Sequence, residues 1–220
     1  MQIFNDPNLL ASFKESIGHA RFSSYLNEAN QDTGRAVALY FWNSRLAGEA
    51  MFALQMFEVC LRNRLSNFLS RRYGDNWPRD PRALRQLTSD DRRRLTGLIA
   101  GLQSSGGGVA PSTDRIVSEL SLGFWVSLLT RRYVVPFGWH GPGLRAVFPN
   151  DHTLTQPQVY RICNSIRVLR NRAAHHEPLF RLPMLQIRID LDHILGAMCY
   201  GSQHFANAGC RMQSVIAWKP

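Results

Sequence analysis

The stretch "ALYFWNSRLAGEAMFALQMFEVCLRNRL", Ala38 to Leu65, sets apolar side chains at Leu39, Trp42, Leu46, Ala50, Leu54, Phe57, Leu61 and Leu65. Steps of three and four residues are the period of an α-helix with one face in a core. The pattern runs from about Val37 to Tyr73, takes in Phe68, and ends at Gly74, Asn76 and Pro78. Working outward, the period stays helical. A short helical start covers about Pro7 to Glu28, before the turn "NQDTGR". Ser89-Asp90-Asp91 reads as the cap and first turn of a helix that runs into the flexible loop "SSGGGVAPS", Ser104 to Ser112. A second apolar helix is expected in "IVSELSLGFWVSLLTRRY", and an ordered loop over Val134 to Thr153. Thr155 should cap a further helix with Pro157 in its first turn, and one or two more helices close the chain. Only "LQIRIDL" alternates as a strand would, and briefly. The expectation is one all-α domain over residues 1–220, a helical bundle with loop insertions.

Composition bounds the function. With 45% apolar and 19% charged residues among 220, the chain can bury a core without staples. Lys+Arg number 26 against 16 Asp+Glu, a net charge of +10, and only Lys14 and Lys219 are lysines. Guanidinium groups bind phosphate in bidentate fashion and stack on bases, so a polyanion, RNA or DNA, is the first partner to consider. A merely basic surface is the alternative. The cysteines Cys60, Cys163, Cys199 and Cys210 form no metal-binding or disulfide pattern, and Cys60 and Cys163 fall on apolar helical positions. The opening "MQIFNDPNLL" has no basic segment followed by an apolar run, and no stretch reaches the roughly 20 apolar residues that span a bilayer. A soluble cytoplasmic protein without membrane contact is expected.

The chemistry-bearing stretch is "SIRVLRNRAAHHEPLF", Ser165 to Phe180. On a helix, Asn164, Arg167, Asn171 and His175 form a polar stripe beside the apolar stripe Ile162, Ile166, Leu169 and Ala173. Arg170 lies about 140° from His175 on an ideal wheel, so one ligand reaches both only through distortion or across a dimer. Arg and His at a helix C-terminus also face the macrodipole favourably, an alternative the residues alone leave open. "HEPLF" lacks the second His of a zinc-protease motif, and Glu177 is the one nearby carboxylate, so no metal is expected. The groups suit RNA cleavage: His can move the protons of the 2′-hydroxyl and the leaving 5′-oxygen, and Arg can neutralise the charge growing on the phosphoryl oxygens.

Arg170-Asn171-x-x-x-His175-His176 resembles the R-N-x-x-x-H motif of HEPN-domain ribonucleases. Two further stretches, Ala38–Leu65 with its Tyr/Trp-Asn start and Leu-Arg-Asn end, and "ELSLGFWVSLL", Glu119 to Leu129, resemble the Abi-like (abortive infection) branch of that superfamily. The resemblance implies a HEPN-like bundle with its motif-bearing core at about residues 34–200. It also implies a homodimer with a composite cleft and metal-independent endoribonuclease activity without a cofactor, in phage defence or a toxin–antitoxin system. By position, Arg170, Asn171, His175 and His176 match catalytic residues, and Glu58, Arg62 and Asn63 match residues of the cleft, with Arg167 and Arg172 as further RNA contacts. An antitoxin or phage-derived activator would be a further partner. Position 177 is Glu, so the Tyr-modified toxin pattern is absent. The rival reading is a non-catalytic RNA-binding or phage-sensing module on the same scaffold.

Elsewhere, the arginines Arg79, Arg82, Arg85, Arg92, Arg93 and Arg94 could follow a phosphate backbone, but Asp80, Asp90 and Asp91 interrupt them. Trp139 and His140 could stack a base, with a structural loop the simpler reading. Leu122, Trp125, Leu128 and Leu129 should pack a core or a dimer face.

Overall fold

The computed structural model describes residues 6–220; residues 1–5, part of the opening segment read above for a leader, lie outside it. The described residues form thirteen α-helices and no strand. The first two, α1 (Pro7–Ile17) and α2 (His19–Glu28), lead into α3 (Thr33–Tyr73), whose 41 residues make a rod of about 60 Å. Asp32 caps its start by accepting from the Arg35 N–H at 3.0 Å, and Gly74 ends it. Leu39, Trp42, Leu46, Leu54, Phe57, Leu61 and Leu65 are buried, as their spacing requires.

The remaining helices cover this rod. After a 3-10 turn at Trp77–Arg79 come α4 (Pro81–Gln86), α5 (Ser89–Ser105), α6 (Thr113–Glu119) and α7 (Leu122–Ser127). They are followed by α8 (Val134–Phe137), α9 (Pro142–Val147), α10 (Gln156–Ala174), α11 (Met184–Met198), α12 (Tyr200–Gly209) and α13 (Met212–Ala217). Helices α2, α4, α6, α7, α9, α10, α11, α12 and α13 all pack directly on α3. One apolar cluster runs from Phe22 to Val215. No helix is long and apolar enough to cross a membrane among the described residues.

Three expectations change. The second apolar helix is broken at Ser121, whose extended backbone and hydroxyl, 3.3 Å from the Phe124 N–H, cap a new helix. The cap of α5 is Thr88 rather than Ser89: its Oγ1 accepts the Asp91 N–H at 3.2 Å. The stretch from Val134 holds α8 and α9 instead of an ordered loop. Gly138 (φ 69°) ends the first, and at Gly143 a Cβ would sit 1.9 Å from the Phe137 carbonyl oxygen, so only glycine fits. As expected for a closing helix, "LQIRIDL" lies within α11, where Ile187 and Leu191 are buried against the bundle and Leu185 and Ile189 face water.

Most of the arginine-rich cluster is engaged locally. Arg82 pairs with Asp80 at 2.9 Å, Arg93 with Asp90 at 3.4 Å and Arg94 with Asp91 at 3.7 Å, while Arg92 donates to the Leu84 carbonyl at 2.9 Å. Buried Asp91 is the polar knot of this region. It accepts from the Tyr133 hydroxyl at 2.6 Å, from Ser127 at 2.8 Å and from Thr88 at 3.0 Å, joining α5 to α7 and the turn after it.

Burial, then the Asp91 carboxylate, pushes the Tyr133 hydroxyl from 10.0 up to about 12. The folded state therefore keeps a proton that the unfolded chain has lost between those pH values, and stability falls as pH rises through that window. Tyr133→Phe should flatten this decline, leaving the parts due to Tyr25, whose hydroxyl burial also raises to about 12, and to Tyr73, Cys60 and Cys163, which burial raises as well. At neutral pH it should cost about 1–2 kcal/mol by taking one donor from buried Asp91. Urea denaturation at pH 7 and across the alkaline window measures both effects.

Candidate functional site

The motif lies on α10. Thr155 occupies the N-cap, its N–H donating to Gln158 Oε1 at 2.9 Å, and Pro157 sits in the first turn as expected. Ile162, Ile166, Leu169 and Ala173 are buried, and Asn164, Arg167 and Asn171 are half-exposed. α10 runs antiparallel to α3, because Arg170 meets Glu58 while the chain beyond the helix meets Asn43.

The helix ends on an unusual residue. His175 is the C-cap, and His176 takes a left-handed conformation (φ 56°). The His176 N–H donates to the Ala173 carbonyl at 3.2 Å and the Glu177 N–H to the Arg172 carbonyl at 2.8 Å, the paired bonds of a Schellman ending. Glycine or asparagine usually holds this position, since a Cβ strains it. Three side chains fix the loop that follows. Arg21 donates to the His176 carbonyl at 2.7 Å, and Arg172 to the Pro178 carbonyl at 3.2 Å with Glu177 3.7 Å away. Asn43, buried inside the bundle, accepts the Leu179 N–H at 2.6 Å and donates to the Glu177 carbonyl at 3.4 Å.

Two depressions flank α3 at this point. One, of about 540 Å³, is lined by Phe52, Gln55, Glu58, Val59, Arg62 and Arg170. Here Arg170 Nε donates to Glu58 Oε2 at 3.1 Å, and both side chains stay partly exposed. Arg62 Nη1 reaches the Ser118 carbonyl at 3.4 Å, while its buried Nε has no partner. The other, of about 290 Å³, is lined by Tyr25, Tyr40, Asn43, Ala173 and His176, and Met51 borders both.

Arg170, Glu58 and Arg62 are thus brought together, with His176 in the adjoining hollow. His175 is exposed at the helix end. Because α10 stays helical to Ala174, the angle of about 140° between Arg170 and His175 persists within one chain. Asn63 is exposed, and Arg167 bonds Asn164 Oδ1 at 2.8 Å on its own helix. Arg172, expected as an RNA contact, braces its own loop. Trp139 is wholly buried, its Nε1 donating to the Leu128 carbonyl at 2.7 Å, so it cannot stack an incoming base as an exposed ring would. Among the described residues no three His, Cys, Asp or Glu side chains gather as a metal site.

The residue that sequence reasoning missed as part of this region is Asn43. Its signal was an amide in the midst of an apolar stripe, between Leu39 and Leu46. No family model, no curated protein and no solved structure matches the chain.

Asn43→Ala should leave the Leu179 N–H buried without a partner and cost about 2–3 kcal/mol. His176→Gly should relieve the left-handed backbone and raise stability by about 0.5–1 kcal/mol. Denaturant midpoints of the two variants check both, and opposite signs are expected.

Proposed function

We propose that this chain is a homodimeric, metal-independent endoribonuclease of the Abi-like HEPN type, acting in phage defence or a toxin–antitoxin pair. The observation that carries the reading is the placement of Arg170 beside Glu58 and Arg62 in a groove of the helix that ends in His175 and His176. The strong positive charge, +10, favours a polyanionic substrate. In this reading His175 takes the proton of an RNA 2′-hydroxyl as its oxygen attacks phosphorus. Arg170 stabilises the charge on the phosphoryl oxygens, and a second imidazole returns a proton to the departing 5′-oxygen. The products are a 2′,3′-cyclic phosphate and a free 5′-hydroxyl.

The angle between Arg170 and His175 is met by a second copy of the chain, whose motif helix completes the cleft. Glu58 holds Arg170 by orienting its guanidinium toward the groove. The same ion pair favours a second reading, an RNA-binding or phage-sensing module, because an arginine already neutralised by a carboxylate is a weaker electrophile.

Purified protein incubated with structured RNA in EDTA distinguishes the two. Cleavage to cyclic-phosphate ends is expected, falling by roughly 10²–10⁴-fold in His175→Ala and Arg170→Ala while light scattering still gives a dimer. RNA retained, with affinity falling as salt rises but no product, would leave only the binding module.

A further inference from the structure

At the opposite end of α10 from the histidines lies a cavity of about 450 Å³, within the range of roughly 300–1,000 Å³ that small ligands occupy. Its wall is apolar: Val134, Leu144, Leu154 and the buried indole of Trp139. Its rim is basic, formed by His140, Arg145 and His152, all exposed. Among the described residues no hydrogen bond or ion pair engages any of these three side chains. That sets Arg145 apart from Arg82, Arg93 and Arg94, whose charges are paired.

The acidic group at the rim is already engaged. Asp151 accepts from the Thr153 hydroxyl at 2.6 Å and N–H at 2.9 Å, and His193 Nε2 lies 2.8 Å from its other oxygen. The Thr153 hydroxyl and then His193 hold its carboxyl down at about 2, so it is anionic and matched by its own partners. Thr155 and Gln156, the N-cap and first residue of α10, border the same space, adding the positive end of a helix dipole. Gly138 and Gly143 build the turn that holds His140 and Arg145 over the apolar wall.

We infer that this cavity binds a small ligand joining an oxyanion to a flat apolar body, with a nucleoside monophosphate as the simplest example. The phosphate meets Arg145, His140 and His152, and the base lies on the wall of Val134, Leu144 and Leu154, with the buried Trp139 behind them. A guanidinium binds a phosphate through paired, charge-assisted hydrogen bonds, and the apolar wall supplies what a free phosphate could not use. The site is separate from Arg170 and does not depend on cleavage of RNA.

Calorimetric titration of the whole chain with adenosine monophosphate, adenosine and inorganic phosphate tests it. The monophosphate should bind more tightly than either half, and Arg145→Ala should weaken it roughly tenfold or more. Arg145 is exposed, so the fold should survive, as circular dichroism would verify. Arg170→Ala should leave the binding unchanged. No heat with the monophosphate at millimolar concentration, equal affinity in an Arg145→Ala/His140→Ala variant, or loss of binding in Arg170→Ala would each overturn the inference. Inorganic phosphate binding as tightly as the monophosphate would overturn the role given to the apolar wall.

Discussion

The burial of α3 is the constraint on which the rest of the molecule depends. Its buried residues, from Ala36 to Leu69, occupy roughly half of the helix circumference, far more than one neighbour can cover. A rod of this kind is stable only when helices close around it, and nine do so directly. The positions of α10 and its motif follow. α10 needs a partner for Ile162, Ile166 and Leu169, and α3 offers the largest apolar surface available. The polar pairs Glu58–Arg170 and Asn43–Leu179 then set the antiparallel register between the two.

Asn43 shows how a buried polar group can specify local geometry. A carboxamide has a donor and an acceptor in the arrangement of a peptide group, so it can serve a loop that lacks a neighbouring strand or helix. Here it satisfies one N–H and one carbonyl of the segment after His176. Arg21 and Arg172 serve two more carbonyls of the same segment. Together these contacts hold His176 in a backbone state that its side chain disfavours. In the proposed ribonuclease, that rigidity would define where the imidazoles stand relative to the groove.

Much of the architecture was legible in the sequence because it rests on local periodicity and local caps. The extent of α3, the stripe of Ile162, Ile166, Leu169 and Ala173, and the Thr155 cap all follow from residues within a few turns of one another. What was not legible depends on partners far along the chain. Arg172 reads as a free cation until its loop folds back on it. The break at Ser121 is hidden inside an apolar run that would continue as helix if the hydroxyl did not claim the Phe124 N–H. Trp139 reads as a ring in a Gly/Pro loop, yet the carbonyl of Leu128 draws its indole into the core. Of the candidate site, the residue types were readable, and only the resemblance put Glu58 and Arg62 near Arg170; the ion pair itself was not readable. Arg170 is paired with a carboxylate 112 positions earlier, a contact that no spacing within the motif announces.

The Trp42 indole, which donates to the Val215 carbonyl at 2.7 Å, has a consequence for synthesis. The two residues are 173 positions apart, and α11, α12 and α13, which cover α3, are made long after it. Until the ribosome has produced them, the side of α3 that they cover has nothing to pack against. At translation speeds of about 5–20 residues per second that interval lasts on the order of ten seconds. During that time the nascent chain presents Trp42 to any holdase or to a neighbouring copy. A message cut short before the codons for α13 would yield a product prone to aggregate rather than a smaller functional protein.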